Sequence, residues 1–162
     1  MAKILDPAEA YERLKKCAER YLEQYKSDET GRLMRLAVKL YLAGLPTAIV
    51  KDFSPVERSN GLMGVTIVGA RGVPHLYYLT REEVEDILSA LKDVKDLYPM
   101  GTLIRKLQAL LKTFKRDCDI EGLTWVDIYN LKVRAWGMEK FTTPKYTEKR
   151  LQMVLAVLST IK

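Results

Sequence analysis

The chain has 162 residues, of which 48% are hydrophobic and 30% charged, with 27 basic against 21 acidic side chains and a net charge of +6. That length and balance fit one folded domain with a core, or a core plus an appendage, and exclude a disordered polyelectrolyte. Two cysteines, Cys17 and Cys118, are too few for a disulfide framework, no apolar run approaches the ~18 residues of a membrane span, and no signal-peptide core opens the chain, so the expectation is a soluble protein of a reducing interior. Charge is unevenly spread. Residues 1–44 carry nine basic and seven acidic groups, residues 45–99 six and eight, and residues 100–162 twelve and six. Two basic ends around an acidic middle point to an acidic partner such as nucleic acid.

Asp6-Pro7-Ala8-Glu9 reads as a helix start, with Asp6 as cap, Pro7 in the first helical position and Glu9 placed to complete a capping box. Tyr11, Leu14, Ala18, Tyr21 and Tyr25 then recur at spacings of three and four, a narrow apolar seam. Cys17 lies on its flank and is expected to be a buried thiol. A polar break at residues 26–31 separates a second helix, Arg32 to Ala43, with Leu33, Leu36, Ala37, Leu40 and Tyr41 on a broader apolar face, stopped by Gly44 and Pro46. Each helix carries a basic triplet at i, i+3, i+7: Arg13, Lys16 and Arg20 on the first, Arg32, Arg35 and Lys39 on the second. That spacing stacks side chains along one face, so the two stripes together are expected to straddle a polyanion.

Residues 45–60 read as an irregular connector with one short turn. Val65 to Val68 and His75 to Leu79 are β-like and joined by a glycine-containing turn, predicting a small hairpin at about 64–79. Thr80-Arg81-Glu82-Glu83 predicts a capping box ahead of a helix carrying Val84, Ile87, Leu88 and Leu91. After Pro99 and Gly101, a longer helix turns Leu103, Ile104, Leu107, Leu110, Leu111 and Phe114 inward and leaves Arg105, Lys106, Lys112, Lys115 and Arg116 outside. Thr124 is expected to cap a helix from Trp125 to about Lys140. Thr142-Thr143-Pro144 is expected to open the last one, with Leu151, Val154, Leu155, Leu158 and Ile161 buried. The fold class is therefore mainly α. An N-terminal helix-turn-helix arm (1–44) is expected to precede an antiparallel helical bundle with a hairpin insertion (45–162).

Reactive groups are sparse. His75 is the only histidine, no CxxC or HExxH occurs, and no Gly-x-Ser-x-Gly elbow appears. Gly61, Gly64, Gly69 and Gly72 are followed by no Gly-Lys-Ser/Thr, and no Gly-x-Gly-x-x-Gly opens a helix, so they do not mark a nucleotide loop. The acidic pairs Glu82-Glu83 and Glu85-Asp86 fall in first helical turns, where they complement the helix dipole. No catalytic residue, cofactor or metal site is expected. Basic faces without an aromatic RNA-reading strand predict backbone contacts of high salt sensitivity and little sequence preference.

The arm-plus-bundle plan, the run Ile128-Tyr129-Asn130-Leu131-Lys132-Val133-Arg134-Ala135, and Thr143-Pro144 before a last apolar helix resemble the major coat proteins of rod-shaped and filamentous archaeal viruses. The resemblance implies an N-terminal arm, with Arg13, Lys16, Arg20, Arg32, Arg35 and Lys39 on the backbone of double-stranded DNA. It also implies a helical filament of similar subunits, hence a homo- or hetero-oligomer, and a place in a virion. The alternative is a small helical subunit of an archaeal RNA-guided defence complex, binding nucleic acid beside partner chains in the cytoplasm.

Overall fold

The structure is a computed structural model that describes residues 3–69 and 71–161. Among them are six α-helices and one small sheet: α1 (Pro7–Glu23), α2 (Glu29–Leu42), β1 (Val56–Glu57), β2 (Met63–Val68), β3 (Pro74–Leu79), α3 (Arg81–Lys92), α4 (Met100–Asp117), α5 (Trp125–Ala135) and α6 (Glu148–Leu158). The chain is mainly helical with a β-hairpin, as expected.

Local chemistry explains most element boundaries. The Asp6 carboxylate accepts from the Glu9 amide, and Pro7 opens α1. Thr80 and Glu83 exchange both bonds of a capping box at α3, and Thr124 and Asp127 do the same at α5. Three helix boundaries differ from expectation. α2 begins three residues early because Asp28 caps it through the Gly31 amide. α5 stops at Ala135 rather than near Lys140, with Gly137 at φ +73° just beyond. Residues 142–147 are extended or turned, the Asn130 side chain accepting from the Thr143 amide, and α6 starts only after Thr147 caps it through Arg150 N.

The sheet order is β1-β2-β3, all antiparallel. β2 and β3 pair from Met63 opposite Leu79 to Val68 opposite Pro74. Alternation then sends Val65, Tyr77 and Leu79 into the core, all buried, while Val56 and Val68 on the outer face stay 58% and 65% exposed. The connector at 45–60 holds a 3-10 turn, Thr47–Lys51, and the short β1, which lies outside the sequence expectation because two residues give no period to read.

The core has two parts, and α2 and α5 run between them. On one side Leu33, Leu36, Ala37 and Leu40 of α2 and Tyr129 and Val133 of α5 pack with the sheet, α3 and the first half of α4. On the other side Met34, Val38 and Tyr41 of α2 and Ile128 and Leu131 of α5 pack with α1, α6 and Phe114 at the end of α4. A helix apolar on both sides belongs in an interior, so α2 is a central element. α1 is anchored beside it through Ala10, Leu14, Ala18 and Tyr21, all buried. The expected boundary at residue 44 does not appear in the packing, because residues 1–44 and 45–162 share both halves of the core. Gly44, at φ +77°, still ends the turn after α2, but for a tertiary reason as well: a Cβ there would sit 2.5 Å from Tyr129 Cα.

Candidate nucleic-acid interface

Packing α1 and α2 into the core determines where their basic residues go. Arg13 lies beside the C-terminal end of α6 and donates through its guanidinium to the carbonyl oxygens of Ser159 (3.1 Å), the C-cap residue, and Ile161 (3.2 Å), just beyond it. Lys16 and Arg20 share the same open depression, which also contains the acidic Glu9 and Glu12. Arg35 donates to the carbonyls of Tyr25 (2.7 Å) and Lys26 (3.1 Å) and so clamps the turn between α1 and α2. Arg32 and Lys39 line a different depression with Arg35, Ser89 and Asp93 of the α3 side. Lys39 also borders a third hollow, of about 280 Å³, that contains Lys15, Glu82, Glu83 and Asp86.

The two triplets thus open onto separate depressions and form no common cradle. Around α1, Arg13, Lys16 and Arg20 project toward the end of α6, roughly half a turn from Tyr11 and Lys15, which project toward Lys39. α1 is also electrically balanced, with Arg13, Lys15, Lys16 and Arg20 against Glu9, Glu12, Glu19 and Glu23.

A more uniformly basic surface lies on α4. Between Met100 and Arg116 this helix holds five cations and no acid. Arg105, Lys106, Lys112 and Arg116 are exposed, whereas Lys115 folds half-buried over the Tyr41 ring, 5.7 Å from its centroid, where desolvation lowers its pKa. At 100° per residue Arg105, Lys112 and Arg116 fall within about 40° of one another, a straight row, with Lys106 to one side. Ala109 and Thr113 keep the space between them free of bulk. Opposite this row, Leu103, Leu107 and Phe114 are buried and hold the helix rigidly in place. One acid touches the row: Asp117, 3.3 Å from Arg116 Nε, itself accepting a 2.9 Å bond from the Tyr21 hydroxyl. The sequence expectation places these cations outside the bundle but gives the greater weight to the repeated triplets. The signal that distinguishes the two, the absence of acids from α4 before Asp117, is a property of the sequence.

One further basic residue is fully buried. Lys132, in the last turn of α5, has no exposed surface. Its Nζ donates to the carbonyls of Ala43 (2.7 Å) and Tyr78 (2.9 Å) and lies 3.3 Å from the Glu83 carboxylate. It also sits 4.6 Å from the centre of the Trp136 ring. Desolvation lowers the lysine pKa, and the Glu83 charge and hydrogen bond act against that shift. With its donors turned to two carbonyls and a carboxylate, this ammonium ties the end of α2, strand β3, the start of α3 and α5 into one unit. A second polar tie joins α5 to α6, where Arg150 Nε donates to buried Asp127 at 2.8 Å and Arg150 also reaches the Gly122 carbonyl. Burial pushes the Asp127 carboxyl up, but the bonds from Arg150 and Thr124 outweigh it and leave the pKa below the ordinary value.

Among the described residues, no cluster of three or more His, Cys, Asp or Glu side chains is arranged to hold a metal ion. No helix among them is long and apolar enough to cross a membrane.

Comparison with protein-family models, curated proteins and solved structures finds no match. The resemblance to viral coat proteins therefore gains no support from a shared family, sequence or fold.

Proposed function

We propose that this is a non-catalytic protein that binds the phosphate backbone of double-stranded DNA through the outer face of α4. The observation that carries the reading is the uninterrupted basic row Arg105, Lys112 and Arg116, with Lys106 beside it, on a helix without acids before Asp117. At 1.5 Å per residue the row is about 16 Å long. Its three cations and Lys106 beside them can each neutralise one phosphate of the duplex, four in all. No base-reading group interrupts it, so contact is to the backbone and shows little sequence preference. The wrapping arm expected at residues 1–44 has no part in this reading, because α1 and α2 are core elements. A rigid helix face laid on the duplex takes its place. Copies lined along one duplex would multiply a weak contact into stable coverage, giving the filament that the coat-protein resemblance implies. The exposed outer sheet face, with Val56 and Val68, offers an apolar surface for such neighbours.

Titration of duplex DNA with the full-length protein at several salt concentrations tests the proposal. Four neutralised phosphates predict a slope of log K against log salt of about −3.6. The triple substitution Arg105→Glu/Lys112→Glu/Arg116→Glu removes three contacts and is expected to reduce the slope to near −1 and to weaken binding at least about 100-fold at low salt. The double substitution Lys16→Glu/Arg20→Glu on α1 is expected to leave the slope close to wild type. Unchanged binding in the α4 variant, or equal loss in both variants, refutes the assignment of the interface.

A further inference from the structure

Cys17 projects from the middle of α1, and Cys118 is the C-cap residue just after α4. They are 101 positions apart in sequence, yet their sulfur atoms lie 2.8 Å from each other. That is within about 0.8 Å of the ~2.05 Å length of a disulfide bond. Both are free thiols, Cys118 buried and Cys17 half-buried at the edge of the same core cluster. The helices that present them are firmly held. α1 is anchored by Leu14 and Ala18 on either side of Cys17, and the end of α4 by Phe114 one turn before Cys118. Two thiols held in contact by separate anchored elements need only about 0.8 Å of further approach to bond, a placement that favours a disulfide.

We infer that Cys17 and Cys118 are a reversible oxidation site, closed by thiol–disulfide exchange with a small-molecule disulfide such as oxidised glutathione. The half-buried Cys17 is the sulfur that a dissolved disulfide reaches. Its thiolate attacks one sulfur of the reagent, forming a mixed disulfide and releasing one glutathione thiolate. Cys118 then gives up its proton and attacks Cys17 Sγ. The Cys17–Cys118 bond forms, the mixed disulfide breaks, and the second glutathione leaves as thiolate. Two protein thiols are oxidised to one disulfide while one reagent disulfide is reduced to two thiols. The bond fastens α1 to the C-terminal end of α4 and closes a loop of about a hundred residues, which restricts the unfolded chain strongly. This inference stands on the sulfur geometry alone and is independent of the DNA-binding proposal.

The test is incubation of the native protein with oxidised glutathione, followed by acid quenching, alkylation of remaining thiols, intact-mass measurement and thermal melting. The wild type is expected to lose both free thiols, to retain no glutathione, to remain monomeric on a non-reducing gel, and to melt about 8 °C higher than its reduced form. Dithiothreitol should restore both thiols and the lower melting temperature. Cys118→Ala is expected to stop at one glutathione on Cys17, and Cys17→Ala to keep its remaining thiol unreacted while folded. A wild type that keeps both thiols, accumulates the mixed disulfide, or forms disulfide-linked dimers overturns the inference, and each outcome is read directly on the wild-type mass and gel.

Discussion

Replacing Lys132 with Met isolates the contribution of a fully buried cation. Methionine matches the length of the lysine stem and leaves the packing against Trp136 largely intact, so the change is chiefly electrostatic. Removing Nζ strands the carbonyls of Ala43 and Tyr78 and leaves Glu83 without its counter-charge. At 3.3 Å and an effective dielectric of 20, the ion pair has a Coulomb energy of about 5 kcal/mol. The desolvation of the lysine, which the variant no longer suffers, offsets several kcal/mol of that. Two unpaired buried carbonyls then cost about 1–3 kcal/mol each. The net expectation is a loss of about 3–5 kcal/mol of folding stability, the range found when one partner of a buried pair is removed. Urea unfolding, followed both by circular dichroism and by the fluorescence of Trp136 beside the substituted position, measures it. The double variant Lys132→Met/Glu83→Leu is expected to lose less than the sum of the two single substitutions, because no charge remains uncompensated. A stability of Lys132→Met within about 1 kcal/mol of wild type would refute the reasoning and place the lysine charge in contact with solvent.

Truncating Leu14 to Ala in α1 is expected to cost about 3 kcal/mol, since that side chain is fully buried. The loss should shift the entire unfolding transition, including the signal from Trp125, whereas an independent arm would leave that transition in place. Alkaline pH is expected to destabilise the protein through Tyr129, whose pKa burial pushes up to about 12. A group whose folded pKa exceeds its unfolded value contributes stability below the unfolded pKa, near 10, and loses it as pH rises through 12. About 3 kcal/mol should disappear over that interval. The stability difference between wild type and Tyr129→Phe, measured by urea unfolding at pH 9 and pH 12, should shrink by this amount.

Elements encoded by neighbouring residues are legible in the sequence alone. Asp6, Thr80 with Glu83, and Thr124 mark helix starts because a cap is a bond across three residues, and the chain cannot avoid bringing its ends together. The hairpin is legible from its alternation and from Gly72, whose φ of +73° suits the turn. The place of α2 is less so. Met34 and Val38 widen its apolar surface to both sides, which marks an interior helix, but the repeated basic spacing on the same helix points to the opposite conclusion. The last two helices each depart from expectation at one boundary, α5 ending early and α6 starting late, where Asn130 holds Thr143 out of the helix.

By itself the sequence determined a mainly helical chain, the caps at Asp6, Thr80 and Thr124, its hairpin and the basic character of α4. Only the tertiary structure decided which cations face solvent. Arg13 and Arg35 carry the same charge and spacing as their neighbours, yet they hold carbonyls at Ser159 and Tyr25, while Lys132 is wholly enclosed. Likewise, the contact of Cys17 with Cys118 spans 101 residues and has no local signature. The reason is range. Caps and strand alternation are interactions among residues a few positions apart, whereas a buried ion pair, a carbonyl clamp or a thiol pair depends on how distant helices cross once the apolar faces have found each other.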